Sequence, residues 1–290
     1  MTKVLVTGAT GNVGSATLRA LADARVPVRA FVRAESAHRL QAAPDVEVAV
    51  GDFADPESVR QALAGIDRVV LSATSDPNTV AYQAAVIDEC AAAGVELIVK
   101  ISTVGAAVGS PLPNFDWHGQ AEDHLRRSGV PAVIIRGSYF MTNLLALAQQ
   151  VRETGLLIAP AGTGRVAMID PRDVGAVAAA VAVGGKPAPE PLVLTGPEPV
   201  TFEQAAGTLS EVTGRKVTFV DVPEEAMVEA AKASGAPPWL IEVLAGVFRV
   251  IRQGSLLAGT TGTVQAWLGR PPLSLGEWAR TYAAQFAGRV

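Results

Sequence analysis

The stretch Thr7-Gly8-Ala9-Thr10-Gly11-Asn12-Val13-Gly14, directly after the apolar run Val4-Leu5-Val6, constrains this chain more than any other. Glycines at three-residue spacing let a strand turn sharply into a helix and leave no Cβ in the way of a pyrophosphate. The N–H groups that open the helix then face the phosphates, and the helix dipole favours their charge. The surroundings complete the pattern. Helical spacing follows at Val13, Ala16, Leu18 and Leu21, and a second apolar run comes at Val28–Val32. An ordinary strand-to-helix turn is the competing reading, and this setting argues against it.

Further apolar runs occur at Val46–Val50, Arg68–Leu71, Leu97–Ile101 and Ala132–Ile135. Amphipathic segments lie between the runs, near 12–24, 36–43, 56–64, 78–93 and 117–128. Continuous apolar strands separated by helices imply a parallel sheet covered on both faces, and right-handed crossovers wind it into a doubly wound α/β, or Rossmann, fold. Asp55-Pro56-Glu57 and Asp170-Pro171-Arg172-Asp173 read as helix starts, and Thr201–Gln204 and Ser274–Glu277 fit capping boxes. Beyond about residue 138 the alternation weakens. Helical segments near 140–151, 201–213, 224–234 and 238–253 dominate, with short strands near Leu192–Leu194 and Lys216–Val220. The expected division is a dinucleotide-binding domain over 1–138 and a mainly helical, smaller substrate-binding region over 139–290, with parts near 155–195 returning to the Rossmann sheet.

The 290 residues are 49% hydrophobic and 18% charged, enough to bury a sizeable core. Net charge is −4 and no run of Lys or Arg exists, which argues against a nucleic-acid partner. The longest apolar run, Val174–Gly185, is well short of the ~20 residues that cross a bilayer. The chain is expected to enter a strand at Lys3, and no signal peptide is expected within it. A single cysteine, Cys90, forms no internal disulfide; it suits a reducing cytoplasm and reads as a core residue. A homodimer is compatible with these features.

The second strand ends Phe31-Val32-Arg33, with no acid at its tip to take a ribose 2′-hydroxyl. Arg33, helped by Ser36 or Arg39, suits a 2′-phosphate, so NADP(H) is favoured and NAD(H) stays open; Glu35 nearby weighs against the choice. Gly51-Asp52-Phe53 ends the third strand, where Asp52 would accept from an adenine amine and Phe53 would pack on the ring. The small residues Ser72-Ala73-Thr74-Ser75 end the fourth strand and allow backbone approach to a nicotinamide ribose, with Ala73 and Thr74 on the cofactor and Ser75 on the substrate.

Several stretches together carry a family resemblance. They are Gly8–Gly14, Gly51-Asp52, Ile101-Ser102-Thr103, His118-Gly119-Gln120-Ala121-Glu122 and Leu125–Val130. Arg136-Gly137-Ser138-Tyr139-Phe140-Met141-Thr142-Asn143, Leu194-Thr195-Gly196-Pro197 and Gly269–Trp278 complete the set. The chain resembles the NmrA-like branch of the atypical short-chain dehydrogenase/reductases, over nearly its whole length. The resemblance implies NAD(P) binding and a place among quinone, azo-dye, triphenylmethane and isoflavone-type reductases, or among catalytically silent NADP sensors. The standard Ser-Tyr-Lys set of the wider group has Tyr four residues before Lys. Here Tyr82, Tyr139 and Tyr282 have no lysine at that spacing, and Asn114 and His118 hold the four-residue separation instead.

His118 and Glu122, four residues apart, share one helix face. Glu122 is expected to orient the imidazole, and His118 to hold the nicotinamide ribose or donate a proton. A surface His–Glu pair is the equally weighted alternative. The candidate catalytic residues are His118, Ser102 and Tyr139. The candidate cofactor contacts are Gly8, Thr10, Gly11, Asn12, Val13, Arg33, Asp52, Phe53, Ala73, Thr74, Ser102, His118, Gly137 and Ser138. Ser75, Trp117, Tyr139, Phe140 and Asn143 are expected at the substrate, whereas Trp267 and Trp278 read as core. No metal is expected, because His124 lies off the His118 face and no third ligand has suitable spacing. The leading expectation is hydride transfer to a quinone-like or other conjugated aromatic acceptor. A non-catalytic NAD(P) sensor and a tailoring enzyme for aromatic polyketides are the alternatives.

Overall fold

The computed structural model describes residues 2–40, 46–186, 190–254 and 256–288. The strands are β1 (Val4–Thr7), β2 (Val28–Val32), β3 (Val46–Val50), β4 (Arg68–Leu71), β5 (Leu97–Thr103), β6 (Ala132–Gly137), β7 (Leu156–Ala159), β8 (Leu192–Leu194) and β9 (Thr218–Asp221). The first helices are α1 (Asn12–Asp23), α2 (Pro56–Leu63), α3 (Thr79–Ala93), α4 (Pro113–Arg127), α5 (Ala148–Thr154) and α6 (Pro171–Gly184). Then follow α7 (Phe202–Thr213), α8 (Glu224–Ala233), α9 (Pro238–Gln253), α10 (Thr263–Leu268) and α11 (Leu275–Phe286).

Seven strands form one sheet in the order β3-β2-β1-β4-β5-β6-β8, and the β1–β2, β2–β3, β1–β4 and β4–β5 pairs are parallel. This is the doubly wound Rossmann order. The reversal of winding beside β1 puts the β1–α1 turn at the switch point, where such sheets bind ligands. Side chains alternate across the sheet. Leu5, Val69, Leu71, Ile98 and Ile134 pack with Val59, Leu63, Val86, Ile87, Cys90 and Leu125 of α2, α3 and α4, while α1 and α6 pack together. Cys90 is fully buried in that core, and desolvation first among causes pushes its thiol up to about 12. The caps behave as their residue types dictate. Asp55 Oδ1 accepts from Glu57 N at 3.1 Å, and both capping boxes form.

The chain divides into two compact units, residues 1–136, 171–193 and 266–269 in one and 137–170, 194–265 and 270–290 in the other. The stretch expected to return to the Rossmann sheet, 155–195, splits. β8 joins the seven-stranded sheet, but β7 pairs with β9 in a two-stranded sheet of its own. β7 is the apolar run Leu156–Ala159, and its partner lies some sixty residues downstream. In the second unit Phe202 is fully buried among the rings of Tyr139, Phe219 and Phe248, and Trp278 lies buried against Tyr282 and Phe286. The segment read as helical over 36–43 is a 3₁₀ turn over Ala34–Leu40, and 41–43 lie outside the described residues. The segment 140–151 is likewise a 3₁₀ turn, Met141–Leu147, running into α5. Among the described residues no helix is long and apolar enough to cross a membrane.

Candidate active site

The β1–α1 turn is built from backbone. Gly8 adopts a left-handed φ of +56°, and a Cβ there would stand 2.6 Å from the Ser72 carbonyl oxygen. A Cβ on Gly14, in the first turn of α1, would run into the Gly8 carbonyl oxygen. Gly11 caps the helix without a side chain, and its N–H donates to Gly8 O at 2.9 Å. The neighbouring strand is clasped by Thr7, whose Oγ1 donates to Ser72 O at 2.7 Å and accepts from Ser72 N at 3.0 Å. Around this cradle Thr10 is half-buried, Asn12 exposed and Val13 buried. The turn therefore leaves the start of a twelve-residue helix free of side-chain caps, which is the shape a pyrophosphate needs.

At the tip of β2, Arg33 pairs with Glu35 at 3.1 Å, both side chains 64% exposed. Such a surface pair is worth only about 0–1 kcal/mol, so the guanidinium is easily exchanged to a phosphate. Asp52 is exposed, and its Oδ1 already accepts from Ala54 N at 2.8 Å. Phe53 stacks on Phe31 with centroids 5.7 Å apart, so much of its ring is spent on the core beneath the expected adenine position. Ala73 is half-buried, and Thr74 and Ser75 are exposed, with Thr74 Oγ1 donating to Asp76 at 3.1 Å.

The second assembly lies where β5, α4 and β6 meet. Proline at its first turn starts α4 at residue 113, so Asn114, Trp117, His118 and Glu122 share one helix. His118 is buried, Trp117 half-buried, and Asn114 Oδ1 is buried without a partner among the described residues. Glu122, fully buried, is saturated. Ser102 Oγ donates to its Oε1 at 2.6 Å, Arg136 grips both oxygens at 2.9 and 2.6 Å, and Arg126 reaches Oε2 at 3.0 Å. Desolvation raises the Glu122 carboxyl, but the bonds from Arg136 and Ser102 prevail and hold it below the usual carboxylate range.

The expectation that Glu122 orients His118 is therefore corrected: its lone pairs are taken by Ser102 and two arginines. The residue against His118 is Lys100, whose Nζ stands 3.4 Å from Nδ1. Lys100 is 0% exposed in mid-strand, and desolvation pushes its amine down to about 7. Desolvation first, then the Lys100 charge, lowers His118 well below the ordinary imidazole value, so the ring is neutral. Ser102, 3% exposed, commits its proton to Glu122. Lys100 escaped the sequence reading because it sits inside the apolar run Leu97–Ile101; a lysine in a central strand is itself the missed signal.

In the second unit, Gly137 and Ser138 are buried, Ser138 N donates to Leu194 O at 2.9 Å, and Ser138 Oγ has no partner among the described residues. Burial raises the Tyr139 phenol above its ordinary value, against a hydrogen bond with Asn143, so it is a weaker acid than a free tyrosine. Phe140 is half-buried and Asn143 exposed. His124 pairs with Asp88 at 2.7 Å, and among the described residues no group of three or more His, Cys, Asp or Glu could hold a metal ion.

A doubly wound sheet with a glycine cradle at its switch point defines a dinucleotide-type α/β protein. The profile of the NmrA-like family matches residues 1–254, and the chain belongs to that family. It is 33% identical over 283 residues to an NAD(P)H azoreductase of Xenophilus azovorans, covering 98% of this chain and 99% of that one. It is 36% identical over 287 residues to a (4-alkanoyl-5-oxo-2,5-dihydrofuran-3-yl)methyl phosphate reductase of Streptomyces griseus, covering 98% and 99%. The crystal structure of the NADPH-dependent quinone oxidoreductase of Escherichia coli complexed with NADPH matches with a TM-score of 0.86 at 29% identity, over 96% of this chain and 99% of that one.

Proposed function

We propose that this protein is an NADP(H)-preferring reductase of electron-poor conjugated acceptors, quinones foremost. The observation that carries the reading is the β1–α1 cradle, in which Gly8 and Gly14 occupy positions that a Cβ would close. When bound, a reduced nicotinamide supplies the hydride. The backbone of Gly8–Val13 would hold its pyrophosphate, and Arg33 its 2′-phosphate. The unpartnered Ser138 Oγ and Asn114 Oδ1 offer polar contacts of the kind a bound ligand satisfies. His118, neutral, offers an N–H as hydrogen-bond and proton donor. Such acceptors delocalise the charge that hydride addition creates, so they depend less on a tyrosine acid than a simple ketone does. The half-buried Trp117 of α4 is assigned to the acceptor. The lone buried Cys90 suits a reducing, cytoplasmic setting.

The test is oxidation of NADPH and NADH by the purified protein with a panel of quinones and azo dyes. Acceptor-dependent loss of nicotinamide absorbance, faster with NADPH, is expected. Arg33→Ala should lower the preference for NADPH by about ten- to a hundredfold, the value of one charge-assisted bond. Cofactor binding by calorimetry with no turnover on any acceptor would replace the reductase with a redox sensor.

A further inference from the structure

Lys100 has no role in the reading above, yet its burial demands one. A lysine in the middle of a central strand opposes folding unless its charge is paired or lost. Side chains of β5 alternate, so Lys100 and Ser102 share the face of Ile98, which packs against α3 and α4. The charged and titratable groups around Lys100 are His118, Glu122 and Arg126 of α4 and Arg136 of β6. The acids of α3 are engaged elsewhere, Asp88 with His124 and Glu89 with Arg60. The α6 helix packs with α1, whose partners lie on the other side of the sheet from the α2–α3–α4 core.

The lone nearby carboxylate, Glu122, spends both oxygens on Ser102 and the two arginines. The Lys100 amine thus has two neutral acceptors within reach, His118 Nδ1 at 3.4 Å and Ile101 O at 3.3 Å. Below about 7 the amine is an ammonium, which has donors and no acceptor, so Nδ1 is the accepting nitrogen and the ring hydrogen belongs on Nε2.

We propose that Lys100 is the positioning residue behind His118, fixing the Nε2–H tautomer and passing a proton to Nδ1 when Nε2 gives its own away. The inference rests on the reductase reading. Both electrons of the reduction arrive with the hydride, and the balance is one proton. The Nε2–H bond breaks toward the reduced acceptor, the Nδ1–H bond forms and one Nζ–H bond breaks. Lys100 is left neutral and His118 carries its hydrogen on Nδ1. One proton from water at Nε2, with return of the Nδ1 proton to Nζ, restores the starting state. The relay needs the ammonium, so it runs below about 7 and fails as the pH rises past that value.

The decisive measurement is long-range proton–nitrogen NMR on histidine-labelled protein without cofactor, titrated through neutrality. The expected result is an Nε2–H tautomer for His118 whose Nδ1 shift inflects near 7 as Lys100 titrates. Lys100→Met should abolish the inflection. Lys100→Arg, which keeps a donor but never gives up its proton, should keep the tautomer without the inflection. In turnover, wild-type kcat/KM should fall above about 7, and Lys100→Met should be pH-independent there and about tenfold slower at acid pH, a modest general-acid effect. A His118 Nδ1 that ignores the neutral range in wild type, or a Lys100→Met enzyme with the wild-type pH profile, overturns the proposal. Absence of turnover in wild type would defeat the reductase reading instead, and the imidazole titration, which needs neither variant nor acceptor, still decides the Lys100–His118 pair.

Discussion

The β1–α1 turn and the β5–α4–β6 cluster lie in the same compact unit and are made of opposite materials. The turn uses backbone and the absence of side chains: Gly8, Gly11 and Gly14 leave room, and Thr7 clasps Ser72. The cluster packs ionisable side chains into the sheet's interior: Lys100, His118 and Glu122, with Arg136 24% exposed at its edge. The first kind of site is held by sterics and tolerates no added atom. The second is held by mutual satisfaction, so its parts depend on one another and on pH.

Breaking the cluster at its hub should have the largest effect. Glu122→Ala leaves Arg136 and Ser102 without their acceptor and should cost about 3–5 kcal/mol, measured by denaturant unfolding. Because the Glu122 carboxyl is held below the ordinary value of 4.5, its contribution is present above that pH and is lost as pH falls through the lower folded value. The wild-type advantage over Glu122→Ala should therefore shrink in acid; an equal difference at neutral and strongly acid pH would show that the network is not ionic.

For Lys100 the substitution itself has the opposite sign. Unfolded, it keeps its proton to about 10.5, whereas folded it releases it near 7, so wild-type stability rises with pH between those values. Lys100→Met removes a penalty on the order of a few kcal/mol and should raise the melting temperature, most below pH 7, with the gain gone above about 10.5. A variant less stable than wild type at pH 6 would contradict a lysine buried without a counter-ion.

The turn should answer to volume alone. Gly14→Ala forces a methyl against the Gly8 carbonyl and should cost about 1–3 kcal/mol at every pH, the usual range for overpacking. It should also weaken NADPH binding in a calorimetric titration. Unchanged affinity and stability would mean that the turn shifts freely, against the sterics described here.

This contrast explains what could be read in advance. The turn and the parallel strands were legible because their signals are local: three glycines after a strand, and continuous apolar runs. The Thr201 and Ser274 capping boxes were legible for the same reason. The cluster was half-legible. Helical spacing put His118 and Glu122 on one face, but the true partners, Lys100, Ser102 and Arg136, come from strands that only the fold brings together. The sheet that β7 joins went unread because the apolar run Leu156–Ala159 looks the same whether it pairs with β9 or with the Rossmann strands.

The interlock of Gly14 against the Gly8 carbonyl, with Thr7 fixing Ser72 beside it, is made wholly of the chain's own atoms. The clasp continues the β1–β4 pairing beyond Val6 and Val70, so any residue that widened the turn would pull on the central sheet as well.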